Sequence, residues 1–308
     1  MSTSPVPPAR VFIEAARPRT LPAGLAPVVL GVSVAIKDGA SLSTPATFVV
    51  ALGVVVAALA IQIGTNYAND YFDFKNGADT AARVGPRRAT QAGLVTPAQM
   101  ARATVVVFLI AAVTGAALVL RGGWPILAIG ASGLLMGVLY TGGPRPLGYL
   151  GLGDILVFIY FGPAAVWGTH LLLVGEPSAN AALWGVVPGL LSVAILVVNN
   201  LRDRHTDVAA NKRTLAVRFG ATFARVEYAL CVGGALLVAV VADGIPSTWD
   251  ALLPLVALPV AVARVRAVAT TDGPALNPLL GKTAGLLLLV TILTAVGLSV
   301  GATPGGLL

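Results

Sequence analysis

The stretch Ala46–Gly64 contains no charged residue, and a run of that length dictates its own solvent. About 20 consecutive apolar residues cross a bilayer's hydrocarbon as a helix. Within lipid, a single segment satisfies all its backbone N–H and C=O groups only as a helix. Comparable stretches recur along the whole chain, and nine spans can be read, at about 20–36, 47–69, 102–120, 124–141, 154–174, 183–200, 223–242, 250–269 and 282–301. Composition agrees. Only 11% of the 308 residues are charged, 56% are hydrophobic and the mean hydropathy is +0.87, where a soluble domain carries about 25% charged residues. The expected fold class is therefore all-α: a polytopic membrane bundle of nine transmembrane helices, one domain over residues 1–308. Pro22, Pro27, Pro163 and Pro188 fall inside spans and predict kinks. The single Cys231 lies in an apolar run, which excludes a disulfide framework or a cysteine-rich metal site. The first twenty residues lack the uninterrupted apolar core and cleavage site of a cleavable signal peptide.

Charge fixes the expected orientation. With nine spans, eighteen of the twenty Lys and Arg residues fall on the side of the N-terminus, leaving Lys37 and Arg121 on the other. The positive-inside rule places the N-terminus and the long even-numbered loops in the cytoplasm. The net charge of +7 is then topogenic, and no nucleic-acid partner is expected.

Carboxylates are scarce and unevenly spent. Of thirteen Asp and Glu residues, five lie in two short segments. The first, NYANDYFDFKNGADT (residues 66–80), ends the second span. Asn66, Asp70, Asp73 and Gly77 follow at i, i+4, i+7 and i+11, one helical face, and Asp79 lies on the loop beyond. The second, NNLRDRHTDVAANKRTLAVRFG (residues 199–220), ends the sixth span. Asn199, Asp203 and Asp207 again share a face, among Arg202, Arg204, Lys212, Arg213 and Arg218. Both segments read as an amide, an Asp four later, and another Asp three or four after that, which suggests a pseudo-repeat. Clustered carboxylates repel and need cations. Mg²⁺ takes oxygen ligands from one or two carboxylates together with substrate phosphates, so two such clusters suit a diphosphate clamped through Mg²⁺, with Arg and Lys on the remaining oxygens.

These segments resemble the two aspartate-rich motifs of the UbiA superfamily of intramembrane aromatic prenyltransferases, and the resemblance spans nearly the whole chain. The general pattern has a further Asp four residues after the second. Here that place is Gly77, and an Asp follows two later at Asp79. With ARPRTLPAGLAPVVLG (16–31), RVGPRRATQAGLV (83–95), YTGGPRPLGYLGLGD (140–154) and LNPLLGKTA (276–284), this variant resembles the branch that prenylates 1,4-dihydroxy-2-naphthoate in menaquinone synthesis. Asn211 departs from it, standing where a glycine is expected before Lys-Arg-Thr, which should alter a turn rather than the chemistry.

The resemblance implies helices around a central cavity, in a bacterial cytoplasmic membrane, with Mg²⁺ as cofactor and with polyprenyl diphosphate and the aromatic acceptor as substrates. It implies that Asp70, Asp73, Asp203 and Asp207 hold Mg²⁺, assisted by Asn66, Asn69 and Asp79. Asn199 and Arg202 are further substrate contacts, while Lys212, Arg213, Arg145 and Arg19 stabilise the departing diphosphate. A 4-hydroxybenzoate acceptor, or a cation or organic-anion transporter, are the alternatives. Acids at helix ends rather than midway along broken helices weigh against the transporter.

Single residues carry smaller expectations. Tyr140 is an interfacial anchor or a pocket residue, and Gln62 lines a pocket or bonds a neighbouring helix. His170 is expected at the interface and His205 off the face of Asp203. Trp124, Trp184 and Trp249 are expected in an aromatic belt, with the deeper Trp167 a cavity candidate.

Overall fold

The computed structural model describes residues 8–78, 84–86, 88–245 and 248–301, and every regular element among them is helical. A short α1 (Pro8–Ala15) leads through a 3₁₀ turn (Pro18–Thr20) into α2 (Pro22–Lys37). The long α3 (Pro45–Lys75) and α4 (Pro97–Leu139) follow. Then come α5 (Gly153–Tyr160), α6 (Pro163–Val174), α7 (Ala179–Trp184) and α8 (Val186–Ala209). The chain ends with α9 (Leu215–Val241), a 3₁₀ segment (Asp250–Ala257), α10 (Leu258–Thr270) and α11 (Asn277–Gly301).

Helix starts follow sequence chemistry. Thr44 and Thr96 accept from the backbone N–H groups of Thr47 and Gln99, each with Pro at the first helical position, and Gln99 returns the bond to Thr96 N–H.

Seven helical segments among the described residues are long and apolar enough to cross a bilayer, or up to eight if the pair Ala9–Thr20 and Pro22–Lys37, bent by 55°, is one span. The expected spans 102–120 and 124–141 fall in one 43-residue element, α4. It is not one rod. Gly123 has φ 64 and ψ −155, a conformation open essentially to glycine. A Cβ on Gly137 would sit 3.4 Å from the ring tip of Phe108. Twenty-nine residues of straight helix would separate these two positions by about 43 Å, so the chain doubles back at Gly123.

α3 packs along α4, α8 along α9, and α11 against α2. The main core gathers Leu30, Val187, Leu191, Tyr228, Leu287 and Val290 from four of these helices. Tyr228 keeps its hydroxyl satisfied against Thr283 at 3.0 Å. Outward faces stay apolar, with Leu120 91% and Val113 72% exposed, the inverse of a soluble protein and suited to lipid.

A polar cluster stands at each end of the bundle. The end opposite the aspartate motifs joins Lys37 and Asn180 to Asp243, and His170 to Asp38. His170 is thus no interfacial side chain. It is 2% exposed and fastens α6 to the loop after α2. Trp184 likewise departs from the belt expected of it, being buried in the main core, whereas Trp124 and Trp249 are exposed.

Candidate active site

Both aspartate motifs end their helices in the same way. On α3, the N–H groups of Gly77 and Ala78 bond the carbonyls of Phe74 (3.1 Å) and Asp73 (2.9 Å). On α8, those of Asn211 and Lys212 bond Val208 (3.2 Å) and Asp207 (2.9 Å). Paired bonds of these spans around a left-handed residue make a Schellman cap, and Gly77 (φ 68) and Asn211 (φ 56) supply that residue. Glycine adopts it freely, and asparagine is next best. The Asn that replaces the expected Gly therefore preserves the turn. The repeat seen in sequence is thus a repeat of geometry, with Asp73 and Asp207 in the last turn of equivalent caps.

The second cap also aims a cation. Lys212, the residue after Asn211, reaches across to Asp73 with Nζ 3.0 Å from Oδ1 and lies 4.7 Å from the centre of the Tyr149 ring. Asp73 is 2% exposed. Its Oδ1 also accepts from the Tyr149 hydroxyl at 2.7 Å, and its Oδ2 accepts from Arg88 Nη2 at 2.9 Å. Asp203 is held by its own neighbour: Arg202 donates through Nε to Oδ1 (2.8 Å) and through Nη2 to Oδ2 (2.5 Å). The same guanidinium reaches Asn199 (2.8 Å) and Asn277 (3.0 Å), and its side chain is fully buried. Removing one partner of such a buried pair costs about 3–5 kcal/mol.

A cavity of about 540 Å³ opens beneath this polar mouth. Asn66, Asn69, Asp73, Asn199, Asn200, Asp203, Asp207 and Lys212 line it at the motif end, with Tyr140 and Tyr149. Deeper walls are apolar, from Val54, Ala111, Leu118, Ile126, Leu134 and Phe161 among others. The charged lining among the described residues is balanced: Asp73, Asp203 and Asp207 against Arg17, Arg88 and Lys212. No group of three or more His, Cys, Asp or Glu side chains among the described residues forms a metal cage by itself. The donors present are hard oxygens on two helices, which suits Mg²⁺ bound by one or two carboxylates and completed by substrate phosphates.

Several expected site residues lie elsewhere. Asp70 does not line the cavity. Its Oδ1 accepts from Thr90 N–H (2.9 Å) and its Oδ2 from Ala89 N–H (3.0 Å). The helical wheel accounts for this placement. At about 100° per residue, Asn69 lies about 60° to one side of Asn66 and Asp70 about 40° to the other, and the cavity arc is centred on Asn69 and Asp73. Arg19, Arg145 and Arg213 are exposed and outside the cavity lining. Arg202 stands behind Asp203 rather than in the cavity. Asp79 lies outside the described residues. Trp167 packs behind the wall without lining the cavity, and His205 is exposed. Gln62 takes both roles open to it, lining the cavity and donating to the Thr20 carbonyl at 2.8 Å. Tyr140 is a pocket residue, with Gly148 and Gly153 packed so closely that a Cβ on Gly153 would lie 2.8 Å from the tyrosine hydroxyl.

Among the residues of the mouth that were not singled out from sequence are Arg17, Arg88 and Tyr149. All three sit in loops, where helical periodicity carries no information. Arg17, rather than Arg19, faces the cavity because its backbone is left-handed (φ 57, ψ 64), a conformation costing about 1–2 kcal/mol for a residue with a side chain. That strain was the one signal available for it, and it is a structural one.

Clustered carboxylates and cations over a deep apolar cavity suit a ligand with a charged head group and a long apolar tail. The UbiA prenyltransferase family model matches residues 24–279. The chain is 39% identical over 288 residues to a 1,4-dihydroxy-2-naphthoate octaprenyltransferase of Mycobacterium leprae, covering 93% of this chain and 95% of that protein. It is 34% identical to that of Escherichia coli, covering 94% and 95%. Its fold matches a UbiA homolog from Archaeoglobus fulgidus bound to DMAPP and Mg²⁺ with a TM-score of 0.63 at 14% identity, over 94% of this chain and 99% of that one. An apo UbiA homolog from Aeropyrum pernix matches with a TM-score of 0.66 at 14% identity, over 91% and 98%. The chain belongs to the UbiA prenyltransferase family. It is a multi-pass membrane polyprenyltransferase that moves a prenyl group to an aromatic acceptor.

Proposed function

We propose that this protein transfers a polyprenyl group from polyprenyl diphosphate to 1,4-dihydroxy-2-naphthoate, releasing diphosphate and CO₂ and giving demethylmenaquinol. The observation that carries the reading is the pair of equivalent Asp-bearing helix caps at the mouth of one apolar cavity. The naphthoate acceptor is supported by the relatives of that name, which cover nearly the full chain. In this reading the chain is one domain crossing a bacterial cytoplasmic membrane nine times. The bent pair at the N-terminus counts as one span and the two halves of α4 as two, and both caps face the cytoplasm, as the lysine and arginine asymmetry requires.

Asp73, Asp203 and Asp207 hold Mg²⁺, with Asn69 and Asn199 as neighbouring oxygen donors. When bound, the ion neutralises charge on the diphosphate oxygens and so makes diphosphate a better leaving group. Lys212 and Arg88, which hold Asp73 in the substrate-free site, donate to diphosphate oxygens, and Arg17 faces them from the α1–α2 turn. The apolar wall holds the prenyl tail extended and keeps water from the allylic carbon. The allylic C–O bond breaks with its electron pair leaving on diphosphate. The electron-rich ring forms the new C–C bond, and the ring carboxylate departs as CO₂. Catalysis is then mostly placement and fixed charge.

An acceptor screen tests the assignment. Membranes containing the protein, given one long prenyl diphosphate and Mg²⁺, should prenylate dihydroxynaphthoate and leave 4-hydroxybenzoate unreacted. Prenylation of the benzoate alone would move the protein to another branch of the family.

A further inference from the structure

Asp70 belongs to the motif by sequence yet is withdrawn from the cavity. It is 2% exposed, and both its carboxylate oxygens are taken by consecutive backbone N–H groups of one loop, Ala89 and Thr90. Those two amides open a single helical turn. Ala92 N–H bonds the Arg88 carbonyl at 3.0 Å, and the turn closes at left-handed Gly93 (φ 68), with Leu94 N–H on the Ala89 carbonyl at 3.0 Å. The first amides of a helical turn lack partners within it, and a carboxylate there is a strong acceptor. Asp70 therefore caps this turn from another element. The residue at the head of the turn is Arg88, whose Nη2 lies 2.9 Å from Asp73 Oδ2. The loop is tied at its other end too: Asn277 donates to the Val84 carbonyl at 3.2 Å while accepting from Arg202. Ala89 and Val95 are buried against Tyr67 and Met100, which fixes the turn along α3 and α4.

We infer that Asp70 is a positioning residue that acts through Arg88. It clamps the 88–94 turn to α3 so that the Arg88 guanidinium stands at Oδ2 of Asp73, and it supplies no bond to the metal. The inference rests on the diphosphate-clamp reading above for what Arg88 contacts, but the placement of Asp70 is independent of it. Adjacent aspartates of one motif thus divide the work. Asp73 faces substrate, and Asp70, about 60° further round the helix, holds the basic loop that faces the same substrate.

The test uses the full chain in lipid nanodiscs and reads more than turnover. Hydrogen exchange should show the 88–94 segment losing protection in Asp70→Ala and keeping it in Asp73→Asn. Mn²⁺ binding in the presence of inorganic diphosphate, followed by electron paramagnetic resonance, should stay within about twofold of wild type in Asp70→Ala and fall at least tenfold in Asp73→Asn. The KM for polyprenyl diphosphate should rise about tenfold in both Asp70→Ala and Arg88→Ala, and the double variant should be no worse than Arg88→Ala alone. Asp70→Asn, which keeps one acceptor oxygen, should lie between wild type and Asp70→Ala, and it serves in place of the alanine variant if that does not fold. Loss of Mn²⁺ affinity in the Asp70 variants equal to that in Asp73→Asn would make Asp70 a metal ligand and overturn the inference. Multiplicative losses in the double variant would separate it from Arg88 with the same effect. If the wild-type protein transfers no prenyl group, the reading of function fails, while exchange and Mn²⁺ binding still decide the role of Asp70.

Discussion

Asn211 shows how much of this site depends on single backbone positions. Its left-handed conformation ends α8 and swings Lys212 onto Asp73. Asn211→Gly should leave stability and transfer close to wild type. Asn211→Ala should cost about 1 kcal/mol of stability and lower turnover by displacing Lys212, read by thermal unfolding in detergent and by a transfer assay on the same preparation. At the same scale, the arginines divide by where they point. Arg145→Ala and Arg213→Ala, at exposed positions away from the cavity, should change kcat/KM by less than about threefold. Lys212→Met should lower it by at least tenfold, since a charge-assisted bond is lost. A large loss in either exposed arginine variant would return that residue to the site. Sequence spacing marks Asp73, Asp203 and Asp207 through helix periodicity and scarcity of charge, while Lys212, in the loop after α8, came from the family resemblance. Spacing groups Asp70 with these aspartates because about 60° on a helical wheel is invisible without the neighbour that fills the other side. Arg17 and Arg88 were hidden because loops have no period.

Among elements, α4 is the one whose sequence and secondary structure disagree in form while agreeing in substance. Two spans were expected, and one helical element is found, with Gly123 inside it at a glycine-only conformation. The connection at Arg121–Gly123 is short, with Gly123 its one non-helical residue, so helical hydrogen bonding runs nearly to the fold-back from both sides. Cysteines at positions 108 and 137 should be joined by a short bifunctional thiol reagent, with reaction read as a mobility shift after a protease cut in the intervening segment. A straight helix would hold them about 43 Å apart, and no cross-link would form. The other legible elements were those whose apolar runs are bounded by charge, such as α3 and α8. The broken α5 and α6 pair was marked by Pro163, one of the prolines read as kinks, which opens α6 directly after Gly162. The misread aromatic and histidine positions, Trp184 and His170, are buried by tertiary packing, which a single helix's sequence does not encode.

At the scale of the whole molecule, two halves of the chain build one site. α3 and α8 bring their aspartate caps to one cavity mouth. The loop between α3 and α4 supplies Arg88, and Asn277 at the start of α11 ties that loop to Arg202 and the second motif. The resting site is charge-balanced by protein cations, which is why carboxylates can be buried there before substrate arrives. In the proposed reaction, diphosphate and divalent cation enter such a site together, since either alone would unbalance it. Transfer of a polyprenyl group to dihydroxynaphthoate by the purified protein in nanodiscs, measured across a Mg²⁺ titration begun in excess chelator, tests this most directly. The account predicts no transfer at the chelated start, recovery as free Mg²⁺ rises, and no recovery at any Mg²⁺ concentration in Asp73→Asn or Asp203→Asn. Transfer undiminished in chelator, or near-normal transfer by either variant, would contradict it.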